Sequence, residues 1–293
     1  MTIHTKKARI TDNATAAPSV TGPLASLVEA LKFCRPAIST EETRYYLNTV
    51  CIYWNPAGLV AVSTDGHRLH NYPLSPKGTP DGLTYQFLLK RDDVAKILKT
   101  YNTKGKQRDK TYAVHFAHPQ SNAGPSTLLF AGHESFKPLD ATFPDWQRVV
   151  PRDVLPSLHW HAEDAREVFN VLAAYDRGYA VRIAGNTEGG TGGTLKLERK
   201  HFATLRAGHV DITHSTTIDT GVAVARNFEV GYQAGYAADI VKAFAELHRD
   251  KWREERYGGT LVTLSLPEDD SFGPGMWRVG DAGAYVVLMP MRI

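Results

Sequence analysis

Two short segments carry side chains that could act in acid–base chemistry or bind a metal ion. The Asp-Gly-His segment 65–67 places a carboxylate near an imidazole, and the His-Trp-His segment 159–161 places two imidazoles on one side of an extended chain. Acid–base catalysis needs a nucleophile or a second carboxylate, and a zinc site needs at least three protein ligands. Neither segment has such a neighbour in the sequence. Segment 65–67 therefore predicts a turn, and no metal site is expected.

A glycine-rich segment, GGTGG at 189–193, raises the question of phosphate binding. Phosphate-binding loops place backbone amides at the start of a helix. This segment has no lysine and lies between two β-type runs, so it predicts a hairpin loop. The GxSxG, HExxH, Gly-Lys-Ser/Thr and GxGxxG motifs are also absent from the contexts that they need. The sequence therefore predicts no enzyme and no cofactor.

The composition is typical of a soluble globular protein. Of the 293 residues 42% are hydrophobic, and 34 Lys and Arg stand against 31 Asp and Glu, a net charge of +3. Holding nucleic acid by charge alone requires a far more basic chain. No long apolar run and no secretory signal occur, so we expect a cytoplasmic protein. Cys34 and Cys51 fit neither a CxxC motif nor a disulfide scaffold, and we expect buried thiols.

The excess positive charge is concentrated between Lys90 and Lys110. This segment has eight Lys and Arg residues against three Asp, a local net charge of +5. Lys96 and Lys99 lie opposite the apolar face of the predicted helix and should project into solvent. A charge run of this kind is usually a solvated face, and a surface that contacts phosphates is the alternative.

Helices and strands alternate along the chain in a repeating order. Apolar residues at helical spacing predict helices from Leu24 to Cys34, from Arg91 to about Tyr101, over 162–175, and from Tyr236 to about Trp252. A strand, TYQFLL (84–89), precedes the second helix. Three β-type runs follow each helix: RYYLNTVCIYW, GLVAVST and HRLHNYPL; TYAVHFA, STLLFA and ESFKPL; YAVRIA, TLKLE and FATLRA; TLVTLSL, MWRVG and AYVVLMPM. The chain thus contains four βαβββ-like units.

Four such units favour two domains. A single unit of this size is marginally stable alone, so we expect the units to pair as residues 17–151 and 152–293, after a flexible tail over 1–16. FPDWQRVVP (143–151) would connect the domains. Helices grouped on antiparallel sheets predict an α+β fold.

Four motifs, in order, resemble the bacterial DNA polymerase III β subunit, the sliding clamp. TRYYLNTVCIYW with GLVAVSTDGHRL (43–69) resembles part of that family's second domain, and FPDWQRVVP resembles the linker after it. FEVGYQAGYAADIVKAF (228–244) is similar to its third domain, and AYVVLMPMRI to its C-terminus. The resemblance covers residues 17–293. It implies two DNA-clamp domains, each a pair of βαβββ-like units with two helices on antiparallel sheets.

The sequence departs from the family in several respects. The family's subunit has three tandem domains, so the resemblance implies a shortened version without the first domain. Thr49 stands where the family usually has glycine, and Leu288 is an extra residue in the YVVLMPM segment. Because the family closes six domains around duplex DNA, two domains per chain imply a homotrimeric ring.

The resemblance also implies a surface that contacts double-stranded DNA. Its residues would be Tyr45, Tyr46, Arg91, Lys96 and Lys99, with Lys32, Lys242 and Arg249 as further candidates. For the tyrosine pair a core or sheet position remains an open alternative.

A hydrophobic groove between the domains would receive short linear motifs from DNA polymerase and the clamp loader. Carried over by motif, its residues are Leu47, Thr64, Gly66, His67, Arg68, Leu69, Pro144, Arg148, Val149, Met289, Pro290, Met291 and Arg292. Leu, Val and Met side chains accept varied apolar peptide side chains, and Arg68 and Arg292 would orient polar peptide groups. Plain core packing is the alternative for Met289 and Met291.

The sequence as a whole predicts a DNA sliding clamp, a processivity factor without catalytic activity, cofactor or membrane association, near the nucleoid. The alternative is a clamp-derived decoy that never forms a ring and captures clamp-binding peptides. Both hypotheses retain the groove, and they differ in oligomeric state and in DNA topology.

Overall fold

The computed structural model describes most of the chain. The described residues are 19–74, 83–101, 110–117, 126–130, 134–161, 165–166, 169–170, 173–174, 180–186, 194–205, 208–218, 223–224, 227–247, 261–268, 273–280 and 283–291. The predicted tail over 1–16, the GGTGG segment and most of the loop after Tyr101 lie outside these ranges.

The predicted helices are found within the described residues. They are α1 (Leu24–Cys34), α2 (Arg91–Thr100) and α3 (Ala234–Leu247). Pro23 is the N-cap of α1, where its φ of −61° and ψ of 129° suit proline. The predicted helix over 162–175 is helical at the six residues described there. The predicted extension of the last helix to Trp252 lies outside the described residues.

Seventeen strands are present in the part of the chain that the structure describes. They are β1 (Ser19–Pro23), β2 (Thr49–Asn55), β3 (Gly58–Thr64), β4 (Arg68–Leu74), β5 (Tyr85–Lys90), β6 (Thr111–His115), β7 (Thr127–Phe130), β8 (Glu134–Phe136), β9 (Val154–His161), β10 (Ala180–Asn186), β11 (Thr194–Leu205), β12 (Gly208–Ile218), β13 (Ala223–Val224), β14 (Phe228–Gln233), β15 (Leu261–Pro267), β16 (Gly275–Val279) and β17 (Tyr285–Leu288).

One predicted strand begins later than expected. The run RYYLNTVCIYW was predicted as a strand from Arg44, but Glu42–Leu47 forms 3-10 helix and β2 begins at Thr49. The Thr49 hydroxyl donates to the carbonyl oxygen of Tyr46 at 2.9 Å, and the Asn48 amide donates to that of Glu41 at 3.1 Å. These local hydrogen bonds outweigh the β-propensity of the tyrosines.

The β10–β12 region also differs from the prediction. TLKLE and most of FATLRA form one long strand, β11, and β12, which was not predicted, pairs antiparallel with it along its length. β12 is rich in polar Thr, Ser and His, so it lacks the hydrophobic alternation that marks a half-buried strand. β10 and β11 pair antiparallel, and Asn186 of β10 lies opposite Thr194 of β11.

The strands form three antiparallel sheets in an α+β fold. Two have four strands, in the orders β1-β6-β7-β8 and β12-β11-β10-β14. The third has nine strands, in the order β13-β9-β15-β16-β17-β4-β3-β2-β5. The pairing of β17 with β4 brings Tyr285–Leu288 beside Arg68–Asn71 and makes one continuous sheet from strands of both chain halves. The boundaries of the two predicted domains stay a prediction.

The nine-stranded sheet separates two clusters of buried residues. On one face the three helices contribute to a large core, in which Phe33 of α1 contacts Phe244 of α3 with ring centroids 5.5 Å apart. On the other face the segment 139–150 covers a smaller cluster that includes Cys51, Leu69 and Val287. The helices and the 139–150 segment therefore lie on opposite sides of the sheet.

His70 is completely buried where β4 meets α1. Its Nδ1 lies 2.7 Å from the carbonyl oxygen of Phe33, and its ring centroid is 5.1 Å from that of Phe33. Burial, together with the nearby Arg68 guanidinium, lowers the pKa of His70 to about 3. The imidazole is therefore neutral in the folded protein, and Nδ1–H donates to Phe33.

We predict that His70 makes the protein acid-sensitive. Between about pH 6.5 and pH 3 the unfolded state binds a proton at His70 that the folded state does not. Stability from this group is complete above about pH 6.5 and falls as the pH is lowered, by about 1.4 kcal/mol per pH unit at the steepest. Urea unfolding of wild type and His70→Gln at several pH values measures the contribution of His70 to the free energy of unfolding. The wild-type advantage should shrink towards low pH, and parallel pH profiles would contradict the prediction.

Candidate functional site

A pocket of about 420 Å³ opens where three separate parts of the chain meet. It is large enough to hold a small molecule or a few peptide side chains. The first part is the 3-10 helix before β2 and the turn between β3 and β4, the second is the 139–150 segment, and the third is the end of β17. The lining residues are Arg44, Tyr46, Leu47, Thr64, Gly66, His67, Arg68, Leu69, Pro144, Asp145, Trp146, Val149, Val287 and Met289.

The turn between β3 and β4 forms one wall of the pocket. The Asp65 carboxylate accepts the backbone N–H groups of His67 and Arg68, both at 3.0 Å, and the Thr64 hydroxyl accepts that of Gly66 at 3.1 Å. Gly66 has a φ of +92°, which favours glycine. The predicted Asp-Gly turn is confirmed, and the carboxylate serves to hold the turn.

The 139–150 segment forms a second wall of the pocket. Trp146–Val149 is a short 3-10 helix, and the buried Trp146 ring meets Tyr53 edge-on, with centroids 5.6 Å apart. The Phe143 N–H donates to the Gln86 side chain at 3.1 Å. These contacts fix the segment on the sheet and leave the Val149 side chain 50% exposed at the pocket rim.

The chain after β17 completes the pocket. The Met289 N–H donates to the carbonyl oxygen of His67 at 2.9 Å, and the Met289 side chain is 43% exposed. The Met291 N–H donates to the carbonyl oxygen of Gly231 at 2.8 Å, and its side chain is half-buried away from the pocket. Leu288 is completely buried in the core, so this residue packs between the sheet and the helices.

Arg68 is held from several directions behind the pocket. Its guanidinium donates to Asp65 and to Asp239, each at 3.0 Å, and to the carbonyl oxygen of Pro36. It also lies over the Tyr236 ring, 4.3 Å from the centroid. The side chain of Arg68 is 7% exposed. Asp239 and Tyr236 belong to α3, so this network joins the two chain halves.

The structure brings together most of the predicted groove residues. Nine of the thirteen line the pocket: Leu47, Thr64, Gly66, His67, Arg68, Leu69, Pro144, Val149 and Met289. Arg148, Pro290 and Met291 are not among its lining residues, and Arg292 lies outside the described residues. Whether this pocket binds peptides stays a prediction.

Four lining residues were missed in the sequence, and one was assigned differently. Arg44, Asp145, Trp146 and Val287 were not predicted, although each lies within a motif quoted for the resemblance. Tyr46, assigned to DNA, lines the pocket instead. Tyr45 is 54% exposed, and its ring meets that of Tyr46 edge-on. The alternation of side chains along β17 could have identified Val287.

The predicted DNA-contacting cations of α2 are exposed. Arg91 and Lys99 project from the helix, as Lys32 and Lys242 do from α1 and α3, and Arg249 lies outside the described residues. Lys96 is exposed too, but its Nζ lies 2.5 Å from the Glu134 carboxylate. The hydrogen bond from Lys96 lowers the pKa of Glu134 and raises that of Lys96. Lys96 therefore already has a protein partner.

Cys34, Cys51 and His159 have structural surroundings in the described part of the chain. Burial raises the pKa of Cys34 to about 12 and also raises that of Cys51, so both thiols are unreactive. The imidazole of His159 lies 2.9 Å from the Thr263 hydroxyl. Among the residues described, no cluster of three His, Cys, Asp or Glu side chains could hold a metal ion. No helix within the described ranges has the length and apolar character required to cross a membrane.

Curated relatives of the chain carry one common name. The chain is 33% identical over 283 residues to the "Beta sliding clamp" of Caulobacter vibrioides, and the alignment covers 93% of this chain and 64% of that protein. It is 25% identical over 274 residues to the protein of that name from Vibrio cholerae, covering 92% of this chain and 63% of that protein. No protein-family model matches the chain. The chain thus spans slightly less than two thirds of the length of these relatives.

Solved structures share the fold. The DNA polymerase III subunit beta of Pseudomonas aeruginosa superposes with a TM-score of 0.71 at 20% identity, covering 96% of this chain and 68% of that one. The DNA polymerase sliding clamp of Caulobacter crescentus superposes with a TM-score of 0.69 at 22% identity, covering 97% of this chain and 68% of that one.

The antiparallel sheets and packed helices define an α+β protein with the DNA-clamp fold. The sequence similarity extends along almost the whole of this chain, so in sequence and in fold the chain is similar to the bacterial β sliding clamps.

Proposed function

We propose that the chain is a DNA sliding clamp, a processivity factor without catalytic activity that encircles duplex DNA and tethers DNA polymerase and other partners. The observation that carries the proposal is the pocket, because the segments that resemble the family build it together. A clamp holds DNA by topology and needs only weak, sequence-independent phosphate contacts, so the net charge of +3 suffices. Such a protein would act in the cytoplasm at the nucleoid.

The pocket suits the apolar side chains of a short linear motif. Leu47, Leu69 and Val287 are buried in its wall, whereas Val149 and Met289 are exposed at its rim. The flexible Met289 side chain adapts to different apolar groups. The Asp145 charge is available for polar peptide groups, whereas the guanidinium of Arg44 is ion-paired with Glu41 at 3.0 Å and that of Arg68 is bound by Asp65 and Asp239.

We predict that a Gln-Leu-Ser-Leu-Phe peptide binds with micromolar-range affinity, about −8 kcal/mol. Val149→Glu or Met289→Glu should weaken binding at least tenfold, about 1.4 kcal/mol, because each places a charge where an apolar side chain docks. Fluorescence anisotropy with a labelled peptide measures the affinity.

A matched control is available outside the pocket. Leu261 is 44% exposed and does not line the pocket, so Leu261→Glu should leave the peptide affinity unchanged. Griselimycin, found bound to the sliding clamp of Bartonella birtlesii, serves as a competitor. Equal affinities of all three variants and wild type would place the peptide site elsewhere.

The helix side of the sheet is the proposed DNA surface. Arg91 and Lys99 of α2 are exposed there, with Lys32 of α1 and Lys242 of α3. All three helices pack against the same face of the nine-stranded sheet, so their exposed cations point away from it on one side. Lys96 would contribute less, since Glu134 neutralises it.

We predict that Arg91→Glu and Lys99→Glu, combined, weaken binding to a short DNA duplex and flatten its salt dependence. Each lost phosphate contact should remove roughly 0.9 from the slope of log K against log salt. Anisotropy titrations between low and moderate salt measure this slope. Arg278→Glu is the control, because Arg278 is exposed on the opposite face of the sheet from the helices. An unchanged slope in the double variant would exclude α2 as the DNA surface.

Two strand edges are available for closing a ring. Within the chain β4, the last strand of the first βαβββ unit, pairs with β17, the last strand of the fourth. The last strands of the second and third units, β8 and β12, each lie at the edge of a four-stranded sheet. Pairing β12 of one chain with β8 of the next would repeat the internal junction head to tail. Three chains then supply the six domains of a ring.

We predict a homotrimer of three times 32.4 kDa, or 97.2 kDa, at high protein concentration. Light scattering across a dilution series measures the mass, because a weak interface dissociates on dilution. The trimer should persist on circular DNA and slide off linear DNA with free ends. The pocket is built within one chain, so a strictly monomeric protein that still bound the peptide would favour the decoy over the ring.

A further inference from the structure

Asp239 lies outside the pocket, yet it holds a residue that the pocket depends on. It is on α3 in the second half of the chain, and its carboxylate accepts a hydrogen bond from the Arg68 guanidinium at 3.0 Å. Asp239 is not among the lining residues. Its neighbour on the same helix face, Tyr236, lies three residues earlier, so α3 presents both side chains to the turn between β3 and β4.

Arg68 transmits this contact to the pocket wall. It stands between His67 and Leu69 in the chain, and all three line the pocket. The Tyr236 ring lies under the Arg68 guanidinium and also stacks on the His67 imidazole, with centroids 6.0 Å apart and planes inclined by 26°. A shift of Arg68 would therefore move both pocket residues beside it.

The strength of the Asp239 contact follows from its surroundings. The Arg68 side chain is 7% exposed and that of Asp239 is 28% exposed, so water screens this ion pair less than a surface pair. Without the Asp239 charge the guanidinium would keep Asp65 alone as a carboxylate partner and would be drawn towards solvent. Arg68 lines the pocket together with His67 and Leu69, so this movement would disturb the pocket wall.

We propose that Asp239 is a positioning residue for peptide binding, which it supports through Arg68 by fixing the β3–β4 turn against α3. The inference rests on the proposed peptide-binding function of the pocket. Because coupling between two sites is reciprocal, a bound peptide should in turn tighten the contact between Arg68 and Asp239 and, since Arg68 begins β4, the pairing of β4 with β17.

The test compares three variants with the labelled Gln-Leu-Ser-Leu-Phe peptide. Asp239→Asn keeps the side-chain volume and removes the charge, and it should weaken binding about fivefold or more. Asp239→Glu restores the carboxylate and should recover most of the affinity. Glu246→Gln makes the same charge change at an exposed position of α3 and should bind like wild type. Thermal melts performed alongside confirm that each variant is folded at the assay temperature.

Hydrogen exchange measured by mass spectrometry supplies the second readout. The peptide should slow exchange at Arg68–Asn71 and Tyr285–Leu288 in wild type and have a smaller effect in Asp239→Asn. A merely structural Asp239 would lower the melting temperature without changing this response or the affinity. If wild type binds the peptide and Asp239→Asn has the same affinity and the same exchange response, the inference is wrong and the proposed function still stands. Wild type that does not bind the peptide would overturn the proposed function, and the inference with it.

Discussion

The pairing of β17 with β4 is the contact on which the rest of the molecule depends. It joins strands from the two halves of the chain into one sheet, and the hydrogen bond from Met289 to His67 continues the pairing to the pocket. The backbone pairing fixes the register of the two strands, and the Arg68 network fixes α3 against the sheet through Asp239 and Tyr236. Burying a guanidinium is costly unless carboxylates and a carbonyl surround it, and Asp65, Asp239 and Pro36 provide that arrangement.

Charge in this protein is used locally. Arg68 is committed to the junction between the halves, and Lys96 is committed to Glu134, so neither is available to a ligand as a free cation. In the proposed function, the exposed cations of the helices would act on DNA, a partner that needs no specific recognition. The proposed topological holding would make few DNA contacts sufficient, because a ring needs no strong contact to stay on DNA.

The sequence predicted the helices and the α+β class well, because their apolar periodicity is local. It failed where distant or polar interactions decide, as at Glu42–Leu47, where hydrogen bonds from Asn48 and Thr49 override the strand-forming tyrosines. The motif resemblance located nine pocket residues, yet Trp146 was missed because its burial depends on how the connecting segment packs. Asp239 has no local signal at all, since its partner is far away in sequence.

The walls of the pocket come from parts of the sequence that lie far apart, and this has a consequence for folding. Its walls come from residues near 47, near 146 and near 289, so the loop-closure entropy of nearly the whole chain must be offset before the pocket exists. A chain still emerging from the ribosome has the β3–β4 turn and the 139–150 segment but lacks β17, which carries Val287, and Met289, which follows β17. The pocket is therefore complete only when folding is complete, and a partner of the proposed binding site would meet only finished protein.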